Sequence, residues 1–450
     1  MAKRAYRAHH HFRRLFSREP RKIFLALGTH KTHNELFYVG PREKEQFIAH
    51  VCRRLRDKKL DSLVRKLFRP SYGGNRNFTL AYTLGDLFIS ADDDMRPYAL
   101  IEDSPESLGD NEISRGKLLP PGANGHTRKS YDILQSFSDV LGQPVSEAPA
   151  NYEHGDYLID TAMDLETNAS TGLTREHSLL LQPGRVSRSA VVKIAQSFRS
   201  GTNDIDAVDY VDLFLEDHAS TDVEALNDTY VLVNFRPCIT NKNWRMDCGV
   251  AGYDNHKGLP PFFPTRLRFE DYIYRLWIQQ PQIAAAHVDS VQTHIKNNYM
   301  RNPVASEVFN EAICNLLKKK IQASLQKTDE LTIAFEYDGA VNLQDSQEIL
   351  ERAITLHEKV LNARKHARSP ERREALNVFA ANLSRAFYDF EPDFFQQNVS
   401  RIVDDEVSLI HSTLEIWPTL LEIVYFQKHC RALPMRHVKN KERSNGRVAS

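Results

Sequence analysis

The chain reads as an α/β protein with a C-terminal helical extension, and three observations carry that reading. Apolar runs alternate with helically spaced segments over residues 22–91, the pattern of a sheet covered by helices, with ligands at the carboxyl ends of its strands. Within it, a glycine-bounded amphipathic segment leads into a short apolar run that ends in three consecutive acids, Asp92, Asp93 and Asp94. Beyond residue 302 the pattern changes to long helical stripes.

Composition narrows the class. A length of 450 residues with 41% apolar side chains predicts two to three domains with sizeable cores. Lys+Arg and Asp+Glu are both 59, so the net charge is zero and implies no bulk attraction to nucleic acid or to an anionic membrane. Five cysteines, odd in number, scattered and without CxxC spacing, point to reduced thiols in the cytoplasm, with neither a disulfide framework nor a zinc cluster. No apolar run approaches the roughly 20 residues of a membrane-spanning helix. Residues 1–21 are basic and lack the Ser enrichment of a transit peptide, so they read as a solvated arm.

In chain order, Ile23–Leu27 and Leu36–Val39 read as short strands. Pro41 opens a helix over 42–55 with Phe47, Val51 and Leu55 on one face. The Lys/Arg-rich run 53–69 reads as a charged surface helix, with a phosphate-facing patch as the alternative. Gly73-Gly74 lead into a helix carrying Phe78, Leu80, Ala81, Tyr82 and Leu84, which Gly85 ends. Leu87-Phe88-Ile89 form a strand that Pro97 keeps from continuing. Residues 102–130 have little periodicity and read as a long loop, functional or mobile, and 199–229 read as another exposed loop. Helices are expected over 131–141 and 187–198, and a strand over 230–235.

In residues 244–277 the small Gly249, Ala251 and Gly252 let the backbone lie close to a ligand. The turn LPPFFP follows, and then a helix headed by Glu270 and Asp271, acids that complement a helix dipole whatever else they do. The extension, 302–435, carries stripes at Val308, Ala312, Leu316 and Ile321, at Leu350, Ile354 and Leu361, and at Leu376, Phe379, Leu383 and Phe387. Its last helix, 403–426, is interrupted at Pro418, and residues 436–450 read as a disordered tail.

Three acids packed at a strand end repel one another and coexist only with a cation, a cationic ligand or full solvation. Their order relative to Arg76-Asn77, Gly85, the segment GVAGYDN at 249–255 and Glu270-Asp271 resembles the GT-A-fold glycosyltransferases that use nucleotide-sugar donors. In that family G-x-x-x-R-N-x-x-L-x-x-A-x-G-x-x-x-x-x-x-D-x-D runs into the metal site, and Arg76-Asn77, Gly85 and Asp92-Asp93-Asp94 stand at the matching spacing. The resemblance covers residues 22–301. It implies a mixed, mainly parallel sheet flanked by helices, a nucleotide-sugar donor, a hydroxyl-bearing acceptor (glycan, lipid or small molecule) and a divalent metal, Mn²⁺ or Mg²⁺.

By the same resemblance Asp92 and Asp94 hold the metal, while Arg76, Asn77, Asp92 and Asp93 line the donor site. Asp271 is the general base that deprotonates the acceptor hydroxyl in an inverting transfer, and Glu270 binds the acceptor or orients Asp271. A His after the Glu-Asp helix often completes the metal site. Of His287 and His294, the second is preferred because it precedes a polar loop in which Lys296 and Arg301 can meet diphosphate oxygens. The chain departs from the family at its start, where few residues separate the first two apolar runs and the second ends in Gly40-Pro41, so the donor's base is not indicated. The helical extension packs on the catalytic domain or on a second subunit. Two other classes share these features: a nucleotidyltransferase, which would release pyrophosphate from a nucleoside triphosphate, and a non-catalytic interaction protein built on a degenerate donor domain.

Overall fold

The computed structural model describes residues 37–92, 95–96, 98–102, 112–113, 117–119, 126–130, 132–147, 157–159, 179–183, 189–202, 230–234, 238–240, 249–265, 267, 270–278, 283–294, 305–327, 333–337, 341–367, 370–388, 392–430 and 432–437. The expected basic arm, the strand over 23–27 and almost all of the tail lie outside these residues, as does the segment 203–229. The chain forms two units: residues 1–69 with 419–450, and residues 70–418. The helices from residue 305 to Pro418 fall in the same unit as the sheet.

In the first unit, β1 (Phe37–Tyr38) pairs antiparallel with Arg436–His437. The expected helix follows as α1 (Pro41–Leu55). Gly40 has no side chain with which to cap it, and its own N–H is satisfied from within the helix, donating to Glu43 Oε2 at 3.0 Å. The same buried carboxylate takes Arg436 Nε at 2.7 Å, and the Arg436 guanidinium lies 5.0 Å from the Tyr38 ring centroid. The basic run breaks at Arg56, whose φ of 56° ends α1. It resumes as α2 (Lys58–Leu67), capped by Asp57 accepting from Lys59 N at 2.8 Å. Phe47 and Phe68 meet edge to face at 5.1 Å between the two helices.

The second unit opens with α3 (Tyr72–Tyr82), capped by Ser71 Oγ accepting from Gly74 N at 3.0 Å and followed by Gly85 at φ +87°. Next come β2 (Leu87–Ala91), β3 (Met95–Arg96), β4 (Tyr98–Glu102), β5 (Glu112–Ile113), β6 (Lys117–Leu119), β7 (His126–Ser130) and α4 (Ile133–Ser138). Then follow β8 (Tyr157–Ile159), β9 (Leu179–Pro183), β10 (Val191–Thr202), β11 (Tyr230–Asn234), β12 (Cys238–Thr240) and β13 (Val250–Asp254). After α5 (Glu270–Ile278) and β14 (Ile283–His294) the chain turns helical: α6 (Ala305–Ser324), α7 (Leu343–His366), α8 (Pro370–Tyr388) and α9 (Pro392–His429).

The architecture is mixed α/β, with a mixed sheet of eight strands in which β12, β14, β10, β11 and β6 run side by side, β13 joins β10 to β2, and β3 lies on β14. Among the described strands of this sheet only β10 and β14 are parallel, which corrects the expectation of a mainly parallel sheet. The reason lies partly in residues 102–130. They read as a loop, yet they supply β6, a strand of three residues that pairs antiparallel with β11 in this sheet, and β7, which pairs antiparallel with β4 in a separate two-stranded sheet. The stretch 187–198, expected to be helical, is largely β10. Val192 to Ser197 are all buried, and a strand covered on both faces has no polar alternation to distinguish it from a helix.

Helix α4 and the turns that follow it pack on the sheet through Phe137, Val140, Leu141 and Val145 against Val192, Val250, Ala284, Ala286 and Val288. Gly252 permits this contact: a Cβ there would lie 2.5 Å from Leu141 Cδ1 and 2.8 Å from Phe137 Cδ2. Its small size therefore serves the core, not the close approach of a ligand. In the extension, α7 and α8 bury Leu356, Val360, Ala363, Leu376, Phe379 and Leu383 together. The expected α7 stripe is displaced by one position, with Ile354 exposed and Ala353 buried. Pro418 lies inside α9, which continues through it to His429.

The start of α3 rests on the Pro-rich turn. A Cβ at Gly73 would lie 2.1 Å from the main-chain oxygen of Phe263, and that oxygen cannot swing aside as a side chain could. Alanine at a helical position is favoured over glycine by roughly 1 kcal/mol, while forced overpacking costs roughly 1–3 kcal/mol. A backbone clash belongs at the upper end, so Gly73→Ala is expected to lower stability by about 1–2 kcal/mol in urea unfolding. An unchanged or raised stability would mean that the helix and the turn are not in contact.

Candidate functional site

The acidic strand end and the Glu-Asp helix meet through Arg76. Arg76 Nη1 lies 2.5 Å from Glu270 Oε1, with side-chain exposures of 13% and 7%. Arg76 Nη2 lies 3.4 Å from Asp92 Oδ2, where the carboxylate is 46% exposed. These contacts differ in weight: removing one partner of a buried ion pair costs about 3–5 kcal/mol, whereas a half-exposed pair contributes about 1 kcal/mol or less. The guanidinium also lies 5.6 Å from the Phe262 ring centroid, a cation–π contact. Arg76 thus faces Glu270, Asp92 and Phe262 at once.

The next residue does different work. Asn77 is fully buried; its Nδ2 donates to Phe262 O at 2.9 Å, and Phe262 N donates to its Oδ1 at 2.7 Å. Both ends of the amide are engaged by one peptide segment, so Asn77 holds the LPPFFP turn in place. The fixed turn seats Phe262 against Tyr274 of α5, with centroids 3.7 Å apart and planes at 10°. From the extension, Trp417 Nε1 donates to Leu259 O in the same turn at 2.7 Å.

Sheet register brings in the other residues. Strand β2 runs antiparallel to β13 with Ala91 opposite Val250, and Asp92 N donates to Gly249 O at 2.7 Å. The strand end is thereby anchored where the acids begin. On β3, Met95 stands opposite His294 and Arg96 opposite Thr293 of β14, and Thr293 Oγ1 donates to Tyr98 O at 2.5 Å. His294 therefore lies across from the residue that directly follows the acidic triplet. His287 lies further back on β14, opposite Cys238 and Gln196. Asp93, Asp94, Lys296 and Arg301 lie outside the described residues. Among the described residues no group of three metal-ligating side chains occurs.

Glu270 and Asp271 form the first turn of α5, with Glu270 buried and Asp271 partly exposed. Cys314 of α6 is fully buried, and burial, together with the charges of Asp271, Glu270, Glu406 and Glu311, pushes its thiol well above the ordinary range. It remains a neutral thiol beside the acids. Sequence reasoning did not find Cys314 or the pairing of Arg76 with Glu270; a buried ion pair between segments 194 positions apart leaves no local pattern.

A second charged cluster lies where β13 ends, at the other end of β2's register from Asp92. Lys193 Nζ is 3.0 Å from Asp254 Oδ2, with both side chains buried, and Asp254 Oδ1 is 2.7 Å from His256 Nδ1 and 3.1 Å from His256 N. Burial opposes ionisation of Asp254, but Lys193 and His256 outweigh it and hold the carboxyl below its ordinary range.

Comparison with protein-family models, with curated proteins and with solved structures returned no match. The class established is therefore that of a mixed α/β chain with a helical extension. No helix among the described residues is long and apolar enough to cross a membrane.

Asp254 gives a pH test. A carboxylate with a depressed folded pKa stabilises fully above its unfolded value of about 4, and that stabilisation is lost as pH falls through the lower folded value. Asp254→Asn leaves Lys193 charged without its partner, so it is expected to be less stable than the wild type by about 3 kcal/mol near neutrality. The gap should narrow as pH falls below about 4. Urea unfolding across this range reads it, and a gap that does not vary with pH would contradict the pair.

Proposed function

We propose that the chain is a metal-dependent glycosyltransferase that moves a sugar from a nucleotide-sugar donor to a hydroxyl acceptor. The observation that supports this reading is Arg76 meeting Asp92 at the acidic strand end and Glu270 at the head of α5, with Asp271 next to Glu270 and His294 opposite Met95 in the strand pairing. Carboxylate and imidazole ligands together suit a divalent ion such as Mn²⁺. Asp94 would join Asp92 and His294 in holding it, and the ion would offset charge on the departing diphosphate.

The protein's own residues divide the remaining work. Glu270 is neutralised by Arg76 and so positions the start of α5. Asp271, next to it and partly exposed, takes the proton from the acceptor hydroxyl as its oxygen attacks the anomeric carbon. The bond from that carbon to the diphosphate oxygen breaks as the new bond forms on the opposite face, inverting configuration. The first turn of the helix favours the ionised form of an acid placed there. Lys296 and Arg301 follow the strand that carries His294 and are the cations proposed for the diphosphate oxygens. A cytoplasmic setting fits the free thiols Cys52, Cys314 and Cys430.

A thermal-shift panel of nucleotide sugars with Mn²⁺ identifies the donor, since a ligand that binds the folded state raises its melting temperature. With that donor, release of nucleoside diphosphate is expected to require the metal. Turnover should fall by about 10²-fold or more in Asp271→Asn while donor binding is retained. Full turnover in excess chelator would remove the metal from the reading, and unchanged turnover in Asp271→Asn would remove the base.

A further inference from the structure

The net charge of zero conceals a division. The unit formed by residues 1–69 and 419–450 holds 26 Lys and Arg against 8 Asp and Glu. Of the 59 of each sign, this leaves 33 basic against 51 acidic residues for 70–418. One unit is thus strongly cationic and the other strongly anionic, which corrects the conclusion drawn from the total: attraction to an anionic partner depends on where the charge sits.

The cationic unit also exposes aromatic rings. Tyr425 and Phe426, near the end of α9, are 55% and 57% exposed. Beside them, the Arg54 guanidinium lies 5.5 Å from the Phe426 centroid, which places the basic end of α1 and the aromatic end of α9 on one surface. Arg56, Lys58 and Lys59, in the link from α1 to α2 and its first turn, are exposed as well. Basic residues alone would suit any polyanion. The rings discriminate: one face of Phe426 is occupied by Arg54, and Tyr425 packs on the His429 ring at 4.1 Å. Faces already covered are poorly placed to stack on nucleic-acid bases. Exposed rings flanked by cations suit the boundary between lipid headgroups and acyl chains, with the basic side chains at the headgroups.

We propose that the first unit docks the protein on an anionic lipid bilayer, with Tyr425 and Phe426 seated at headgroup level and Arg54, Arg56, Lys58 and Lys59 facing anionic headgroups. The proposal does not depend on sugar transfer, because its test reads binding alone. The full chain is sedimented with phosphatidylcholine vesicles and with vesicles in which roughly a third of the lipid is phosphatidylserine. Binding is expected to be about tenfold or more stronger to the anionic vesicles and to weaken as salt screens the charges. Lys58→Glu with Lys59→Glu places acids in the first turn of α2, where the helix dipole favours them, so the fold is retained. This variant should bind anionic vesicles about tenfold or more weakly, and Phe426→Ser should weaken binding severalfold with every basic residue intact. Equal binding to both vesicle types, or anionic binding untouched by the charge reversal, would overturn the proposal. So would binding to single-stranded RNA without binding to vesicles.

Discussion

The second unit depends on one buried ion pair. Arg76 lies on a helix that precedes the acidic strand, Glu270 heads a helix far along the chain, and no shared secondary structure forces them together. A charge as secluded as Glu270 is tolerable only with a partner in place, so the pair commits α3 and α5 to a single alignment. The Asn77 amide fixes the LPPFFP turn, and that turn carries the Phe262 ring beneath Arg76 and against Tyr274. Adjacent residues of one helix thus serve separate ends, one electrostatic and one structural.

The sheet completes what the pair begins. Its antiparallel joints place the end of β2 beside Gly249, and β3 against the last residues of β14. A residue of β14 thereby comes opposite the position after the acidic triplet, although nearly two hundred residues separate them. The extension is part of this arrangement: α6 places Cys314 in the field of Glu270 and Asp271. Trp277 of α5 stacks on Phe335, which in turn stacks on His411 of α9. The helices after residue 305 therefore support the site from behind.

Much of this was legible in the sequence where local chemistry decides the outcome. The start of α1 at Pro41, the helix bounded by Gly73-Gly74 and Gly85, the strand before the acids and the acids heading α5 all follow from capping, period and chain reversal. What was illegible depended on burial and distance. β10 is covered on both faces and shows no alternation, so it resembles a helix. Strands of two to five residues in 102–130 are too short to show any period. The Asn77 amide's bonds to the main chain of a distant turn leave no local pattern, and the charge division between units vanishes in a total of zero. The small size of Gly252 suggests the close approach of a ligand, and the groups that come close are the side chains of Phe137 and Leu141.

Arg76 and Glu270 are held to act as one unit that aligns the acidic strand with the Glu-Asp helix. A double-mutant cycle with Arg76→Met and Glu270→Gln, read by urea unfolding, tests this most directly. A coupling energy of about 1–3 kcal/mol is expected between the two positions. Losses that add to within about 0.5 kcal/mol would contradict it.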